Sequence, residues 1–480
     1  MFKMKQARIF PLQTILTFFL STSLFCFGQH SDSSYYVKSI EIFGNKVTKE
    51  KTIIRELEFA VGDTIHGDLF SMKLLHSKDN LMNISLFNFV SITYSQDISQ
   101  LESDSVHHVN IQVQCTERWY TWPTPFVYFD ERNLNDWLER KDLSRVSYGL
   151  MVVKENFRGR REQFVIGFKT GFNDLISLKY TNPGVDKARS IGIGFSASYA
   201  RENNIFYKTI DHQRQLLALE DEYAIKNGYL HFSLNKRFGI KKSFRAYGQY
   251  NHYTFSDTLF TLNPNFTKHT EGNTAFFTIS LLFKFDYRDY IHYPLEGYFA
   301  DCEIIKKGLG LLKNENFSIV TVHTSLRKYW KLDERLYFAT GINARLRLDG
   351  NNLYFFGQGL GFGNEYVRGY ESYVIDGEHY FIIKNNLKYN IIPQKILKIG
   401  FIKTEKFNTI PYRFYANIFT DFGYIRNHYT ADLNSLSNRL LFGYGLGIDF
   451  VTYYDRAYRF EISRNSENQF SFAIQFTAPI

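Results

Sequence analysis

Leu440-Leu441-Phe442-Gly443-Tyr444-Gly445-Leu446-Gly447-Ile448-Asp449-Phe450 reads with a period of two. In an extended chain Leu440, Phe442, Tyr444, Leu446, Ile448 and Phe450 share one face, and Gly443, Gly445, Gly447 and Asp449 share the other. The large face is continuously apolar; the opposite face is small or charged. The pattern recurs upstream, where Ala275, Phe277, Ile279, Leu281, Phe283 and Phe285 oppose Thr278, Ser280, Lys284 and Asp286, with Leu282 as the one apolar exception. It recurs at the end, where Phe470, Phe472, Ile474 and Phe476 oppose Gln469, Ser471, Ala473 and Gln475. A soluble sandwich would also alternate, but would keep polar groups on its solvent face. Segments this long suit a tilted membrane strand of about 9–11 residues. The expected fold is therefore a transmembrane β-barrel with large residues toward lipid and small ones toward a polar lumen. In lipid every strand edge must be paired, so such a sheet is expected to close on itself.

Composition supports this. Aromatics make up 18% of the 480 residues, with 47 Phe and 34 Tyr, yet mean hydropathy is only −0.29. A helical membrane protein would be far more apolar. The formal charge of +9 is too small and too dispersed for a nucleic-acid partner. Lys3, Lys5 and Arg8 precede an apolar run from Leu12 to Phe27, and Cys26-Phe27-Gly28 offers small residues for cleavage before Gln29. Residues 1–28 are expected to be a signal peptide. A lipid anchor on Cys26 is disfavoured by the bulky Phe25. Only a few residues separate this leader from the next unit, which leaves no room for an upstream lipase-like domain. Outside the leader Cys115 and Cys302 remain, in different expected domains, and are read as free thiols.

Residues 35–117 read as a small α+β unit. Tyr36 to Phe43 alternates as a strand, and Gly44-Asn45 is a turn signal. Thr48 can cap a helix bearing Glu50 in its first turn and an apolar face of Ile53, Ile54 and Leu57. A second helix is expected from about Asp68 to Met82, with Met72, Leu75 and Met82 on one side. Phe89–Tyr94 and Val109–Val113 read as strands, giving the order strand, helix, helix, strand, strand.

These residues resemble the BamA/TamA-type superfamily of outer-membrane assembly and secretion barrels. Ile40-Glu41-Ile42-Phe43-Gly44-Asn45, Ile53-Ile54-Arg55-Glu56-Leu57, Gly62-Asp63 and Leu86-Phe87-Asn88-Phe89-Val90 are similar to a POTRA (polypeptide-transport-associated) domain. Asn156-Phe157-Arg158-Gly159-Arg160, Leu178 to Pro183, and Asp286-Tyr287-Arg288-Asp289 with Pro294 and Gly297 resemble the family's barrel hairpins. Val367-Arg368-Gly369-Tyr370 matches the family's sixth-loop tip. Phe419, Asp421 and Gly423, within Phe419-Thr420-Asp421-Phe422-Gly423, match its F-x-D-x-G partner motif on strand 13. Counting back from the C-terminus, strands at Gln469–Phe476, Arg456–Ser463, Arg439–Thr452, Tyr412–Arg426 and His379–Ile391 become 16 to 12 if the family's sixteen apply. Arg368 then falls between strands 11 and 12. A lumenal Asp421 can accept a forked bond from Arg368 on an infolded loop, which Lys could not reproduce.

The resemblance implies a barrel over residues 118–480 in the cell outer membrane, with the POTRA-like unit in the periplasm. Its expected partners are outer-membrane lipids, an unfolded client polypeptide and envelope-complex subunits. The implied activity is insertion of outer-membrane proteins or translocation of a client. The alternative is an accessory or structural subunit, or a passive pore; a surface adhesin ranks last. The terminal Phe470, Phe472, Ile474 and Phe476 are read as a C-terminal strand signal. No enzyme site, cofactor or metal is expected, because His107, His108, His231, His252 and His292 lack ligand spacing. Gly357, Gly359, Gly361 and Gly363 precede no helix and no Lys-Ser/Thr, so they read as a flexible loop root rather than a phosphate loop.

Overall fold

The computed structural model describes residues 33–96, 106–129, 143, 146–267, 272–348 except 314 and 316, 353–428 except 364, and 433–475 except 453 and 455. The expected leader, Phe476 and parts of the turn Tyr453-Tyr454-Asp455 lie outside them.

The N-terminal unit is a four-stranded sheet with helices on one face. β1 (Ser34–Phe43) runs parallel to β4 (Val106–Glu117), and β3 (Phe87–Gln96) pairs antiparallel with β4. A further strand, β2 (Thr64–His66), sits on the other edge of β1, giving the order β2-β1-β4-β3. Three residues carry too little periodicity for the sequence to reveal it. Helix α1 (Glu50–Ile54) and α2 (Gly67–Asn83) cover a core of Val37, Ile53, Leu57, Phe70, Leu81, Phe87, Val109 and Ile111.

Three details correct the expectation. Thr48 is not the cap of α1; Lys49 holds that position without a side-chain cap bond. The Thr48 hydroxyl donates instead to buried Glu117 at 2.7 Å, which also accepts the Val47 and Thr48 N–H groups. A buried carboxylate requires such donors, and this demand outweighs the cap. Ile54 is largely exposed, so only Ile53 and Leu57 face inward. Helix α2 is turned so that Phe70, Ser77, Asn80 and Leu81 are buried while Met72 and Leu75 face outward. Phe70 stacks flat on Tyr35 at 4.3 Å, and Asn80 donates to the Glu56 carbonyl. Those two contacts set the rotation that two competing apolar stripes left open. Cys115 and Cys302 are free thiols. Burial, with Glu117 nearby, pushes the Cys115 thiol up to about 12, so it is inert.

The rest is one 16-stranded antiparallel sheet. Its strands are β5 (Thr121–Phe129), β6 (Val146–Phe157), β7 (Glu162–Gly171), β8 (Asp174–Asn182), β9 (Ile191–Glu202), β12 (Ile225–Phe238), β13 (Lys242–Phe255), β14 (Asn273–Asp286), β15 (Gly297–Lys307), β16 (Ile319–Lys331), β17 (Leu336–Leu348), β18 (His379–Lys398), β19 (Thr409–Arg426), β20 (Leu440–Thr452), β21 (Arg456–Asn465) and β22 (Phe470–Gln475). β10 (Asn204–Ile210) and β11 (Gln213–Ala218) form a separate hairpin in a distal loop. In β14, Ile279, Leu281, Phe283 and Phe285 point outward while Thr278 and Ser280 are buried inside. Leu440, Tyr444, Leu446 and Ile448 do the same on β20. So many exposed large apolar side chains on one face would drive aggregation in water; they match a hydrocarbon surround. The sheet curls until its ends meet at the end nearer the N-terminal unit, where Tyr454 packs edge-on against Trp122 at 5.2 Å. No helix of the described chain is long and apolar enough to cross a membrane, so any crossing is made by strands.

The distal end carries a roof of aromatic side chains. Phe255, Phe260 and Phe266, near the short helix α3 (Asp257–Leu262), pack with Tyr354 and Phe355 of the long loop between β17 and β18.

Candidate functional site: the sixth-loop tip inside the barrel

The loop between β17 and β18 folds back into the lumen. Leu360 bridges Ile375, so the loop descends as a hairpin, and its tip closes with a Tyr370 N–H to Val367 carbonyl bond of 3.0 Å. Gly359 and Gly361 lie where an added Cβ would meet the Ile375 and Tyr373 carbonyls at 2.1 Å. These glycines permit close packing, which corrects the expectation of a flexible loop root.

At the tip, Arg368 is fully buried. Nε and Nη2 fork onto Asp421 at 2.8 and 2.5 Å, and the backbone N–H adds a third bond at 3.1 Å. Nη1 donates to Asn386 at 2.9 Å and to Glu461 at 3.2 Å, and Nη2 reaches the Asn385 carbonyl at 3.4 Å. All five side-chain donors are thus engaged. The guanidinium lies over the Phe419 ring at 3.9 Å, a cation–π contact in a desolvated setting. Val367 fills the space over Gly423, where a Cβ would come within 2.4 Å of it. Phe419, Asp421 and Gly423 alternate with outward residues on β19, which places all three on the lumen face beneath the tip. Gly369 adopts φ of 93°, the left-handed region that favours glycine. Tyr370 is buried, with its hydroxyl 2.7 Å from that of Ser466.

Sequence reading missed three partners: Asn386, Glu461 and Gly443. Gly443 matters most sterically, because a Cβ there would sit 1.8 Å from the Arg368 carbonyl oxygen. Backbone on both sides leaves nothing to yield. Gly443→Ala is expected to lift the tip off β20 at an overpacking cost of about 1–3 kcal/mol. Gly447→Ala, whose Cβ would meet the more yielding side chains of Asn417 and Glu461, should cost less. Thermal gel-shift midpoints of the two variants test this; equal values would contradict it.

A second buried cluster lies deeper in the lumen. Arg459 forks onto Asp449 with both bonds at 2.5 Å, and Asn417 donates to Asp449 at 3.0 Å. The Tyr293 hydroxyl donates to the same carboxylate at 2.6 Å. Tyr293 comes from the turn between β14 and β15, so it enters from the proximal end. Glu461 joins the clusters, since Arg459 Nη1 lies 3.6 Å from the oxygen that Arg368 uses. The lumen is therefore filled from both ends on its β18–β21 side. On its β6–β13 side a polar cavity of about 840 Å³ remains, lined by Lys179, Ser196, Tyr229, His231 and Arg245.

The N-terminal unit docks on the proximal turns. Lys49 N–H donates to the Gly159 carbonyl at 2.9 Å, Asn156 to Thr48 at 2.8 Å, and Lys241 to Asn80 at 2.9 Å. Asn83 donates to the Asp289 carbonyl and accepts from Ile291 N–H, both at 2.8 Å. Lys406 reaches the Arg118 carbonyl. The strongest clamp is Arg237, whose two terminal nitrogens each meet Glu56 at 2.8 Å. Burial alone would raise the Glu56 carboxyl, but the Arg237 fork overrides it and holds it at about 2. A carboxyl depressed below its ordinary value of about 4.3 contributes stability that is complete above that value. The contribution is lost as pH falls from there through about 2. Protection of the Thr48–Glu56 segment from protease should therefore persist at pH 5 and fail toward pH 2, whereas Glu56→Gln should weaken docking already at neutral pH. A pH-independent wild type would contradict this.

Arg368 and Asp421 are thus brought together, with Val367, Gly369, Tyr370, Phe419 and Gly423 around them. Phe470, Phe472 and Ile474 stand apart on the outer face of β22, all exposed. Among the described residues no group of His, Cys, Asp and Glu could hold a metal ion.

Comparison with known families decides the identity. The Omp85 superfamily domain matches residues 156–452, and the POTRA model, described as a surface antigen variable number repeat, matches residues 35–118. The chain belongs to the Omp85 superfamily. This Omp85 barrel resides in the outer membrane with its single POTRA domain in the periplasm, and membership gives it a role in outer-membrane insertion or secretion. Among solved structures it is similar to BamA from Haemophilus ducreyi lacking POTRA domains 1–3, at 14% identity and TM-score 0.47, covering 92% of this chain and 83% of that one. It is also similar to CdiB from Acinetobacter baumannii, at 12% identity and TM-score 0.46, covering 92% and 74%. CdiB from Escherichia coli matches at 10% identity and TM-score 0.45, covering 96% and 92%. Comparison with curated proteins finds no match.

Proposed function

We propose that this Omp85 protein handles unfolded client polypeptides at the outer membrane, inserting them into it or passing them across it, without enzymatic chemistry. The observation that carries this reading is the fully buried Arg368 lock on Asp421, formed by a loop that fills the lumen of a barrel bearing a POTRA domain. A buried pair satisfied by five side-chain bonds defines one docked state, and its release would define another. In this reading residues 1–28 are a leader removed on export, residues 35–117 receive the client, and residues 118–480 form the barrel. The POTRA domain would take an extended client at a strand edge, through main-chain bonds. A lumen filled by the sixth loop and capped by the POTRA domain speaks against a constantly open pore. Other envelope subunits are proposed partners.

Depletion of the protein in its native host tests the reading. The expected result is a defined set of proteins lost from the outer membrane or the culture medium. An unchanged outer-membrane and secreted proteome would overturn it.

A further inference from the structure

The first barrel strand is a terminal strand of the sheet, with β6 on one side. Among the described residues no pairing joins it to β22, the other terminal strand. Its sequence, Thr121-Trp122-Pro123-Thr124-Pro125-Phe126-Val127-Tyr128-Phe129, holds two prolines two residues apart. Pairing with β6 nevertheless runs unbroken from Thr121–Lys154 to Phe129–Val146, with Pro123 opposite Val152 and Pro125 opposite Leu150. In an antiparallel ladder, residues alternate between those that bond the neighbour and those whose N–H and C=O point away. A proline can keep such a ladder intact only at the second kind of position. Pro123 and Pro125 therefore turn their ring nitrogens away from β6, toward the seam. Two successive seam-facing positions on the periplasmic half of β5 carry no hydrogen to donate.

The other side of the seam differs. Phe470–Gln475 contains no proline, so every residue of β22 keeps its N–H. Its Phe470, Phe472 and Ile474 present a continuous apolar face to lipid. An edge with complete donors in hydrocarbon is costly until another strand satisfies it. On β5 the prolines remove two donors that would otherwise be stranded there. They also leave any incoming strand with two carbonyls unmatched.

We propose that the seam is a one-sided interaction surface: an extended, alternating segment of a client polypeptide pairs with the β22 edge, and the proline edge of β5 refuses it. The proposal rests on the client-handling reading above, but concerns where a strand can add. It gives Pro123 and Pro125 the role of specificity determinants, because they block strand addition by a client and by a second copy of the chain alike.

The test uses the full-length chain in vesicles of phosphatidylethanolamine and phosphatidylglycerol. The probe is a synthetic peptide copying residues 465–480, an extended segment with the required alternation. A photoreactive residue is placed at Ser471 on β22 or at Thr124 on β5. Capture is expected at Ser471 and not at Thr124. In Pro123→Ala/Pro125→Ala, capture at Thr124 should rise by at least about tenfold, since restored donors remove the unsatisfied groups. Equal capture at both edges of the wild type, no capture at Ser471, or no gain on replacing the prolines would each overturn the proposal. Pro125→Ala alone serves if the double variant does not fold, with gel mobility before and after heating as the check. The peptide readout does not depend on the native client. A proteome unchanged by depletion would therefore sink the proposed function, whereas symmetric capture would sink the one-sided seam.

Discussion

Arg368→Ala is expected to release the sixth-loop tip from β19 and β20. The change strips the fork from Asp421 and one donor from Glu461, both buried. Removing one member of a buried, fully bonded pair costs about 3–5 kcal/mol, because the remaining charge keeps its desolvation penalty and loses its partner. The Phe419 ring also loses its cation. Arg368→Lys should recover little, since a single ammonium cannot supply a planar fork and five donors. The readouts are the temperature at which the folded gel band is lost and the rate of protease cleavage within residues 353–378. Equal values in wild type and variant would refute the lock. A double variant, Arg368→Met with Asp421→Leu, separates stability from function. Replacing both partners by apolar groups is often neutral, so the folded band should recover while rescue of a depleted strain should not.

Arg459→Ala is expected to cost a similar amount, about 3–5 kcal/mol, by the same mechanism. Here the stranded group is Asp449, which keeps Asn417 and Tyr293 as donors but loses both charged bonds. The location of the effect differs. Tyr293 belongs to the turn that Asn83 of the POTRA domain grips through Asp289 and Ile291. Loss of Arg459 should therefore accelerate hydrogen exchange over residues 287–296 and weaken POTRA docking. Arg368 retains its fork on Asp421, so exchange at the loop tip should change less. Exchange that rises at the tip and not in the turn would contradict this division of labour.

The barrel was legible because a membrane strand writes its environment into every second residue. Leu440, Phe442 and Tyr444 could face only lipid, and Gly443 and Asp449 only the interior. Strand count and the place of Arg368 between β17 and β18 follow from the same alternation. The pairing of Arg368 with Asp421 was readable as a match of two motifs, since fork and carboxylate have complementary shapes. Glu461 and Asn386 were not readable. A lumen-facing polar residue has the same pattern whether it solvates a channel or receives a loop. The rotation of α2 was hidden for a related reason: two apolar stripes competed, and Tyr35, distant in sequence, chose Phe70.

The period-two run at Leu440–Phe450 thus determined by itself that the chain spans a membrane as strands, and which side of each strand meets lipid. That information is local, because the bilayer acts on each residue separately. Only the tertiary structure decided that Gly443 is the floor on which the Arg368 carbonyl rests, that Asp449 holds a turn from the opposite end, and that the nitrogens of Pro123 and Pro125 face the seam. Those roles depend on which segments meet across the lumen and on the direction of each hydrogen bond, and residue order alone specifies neither.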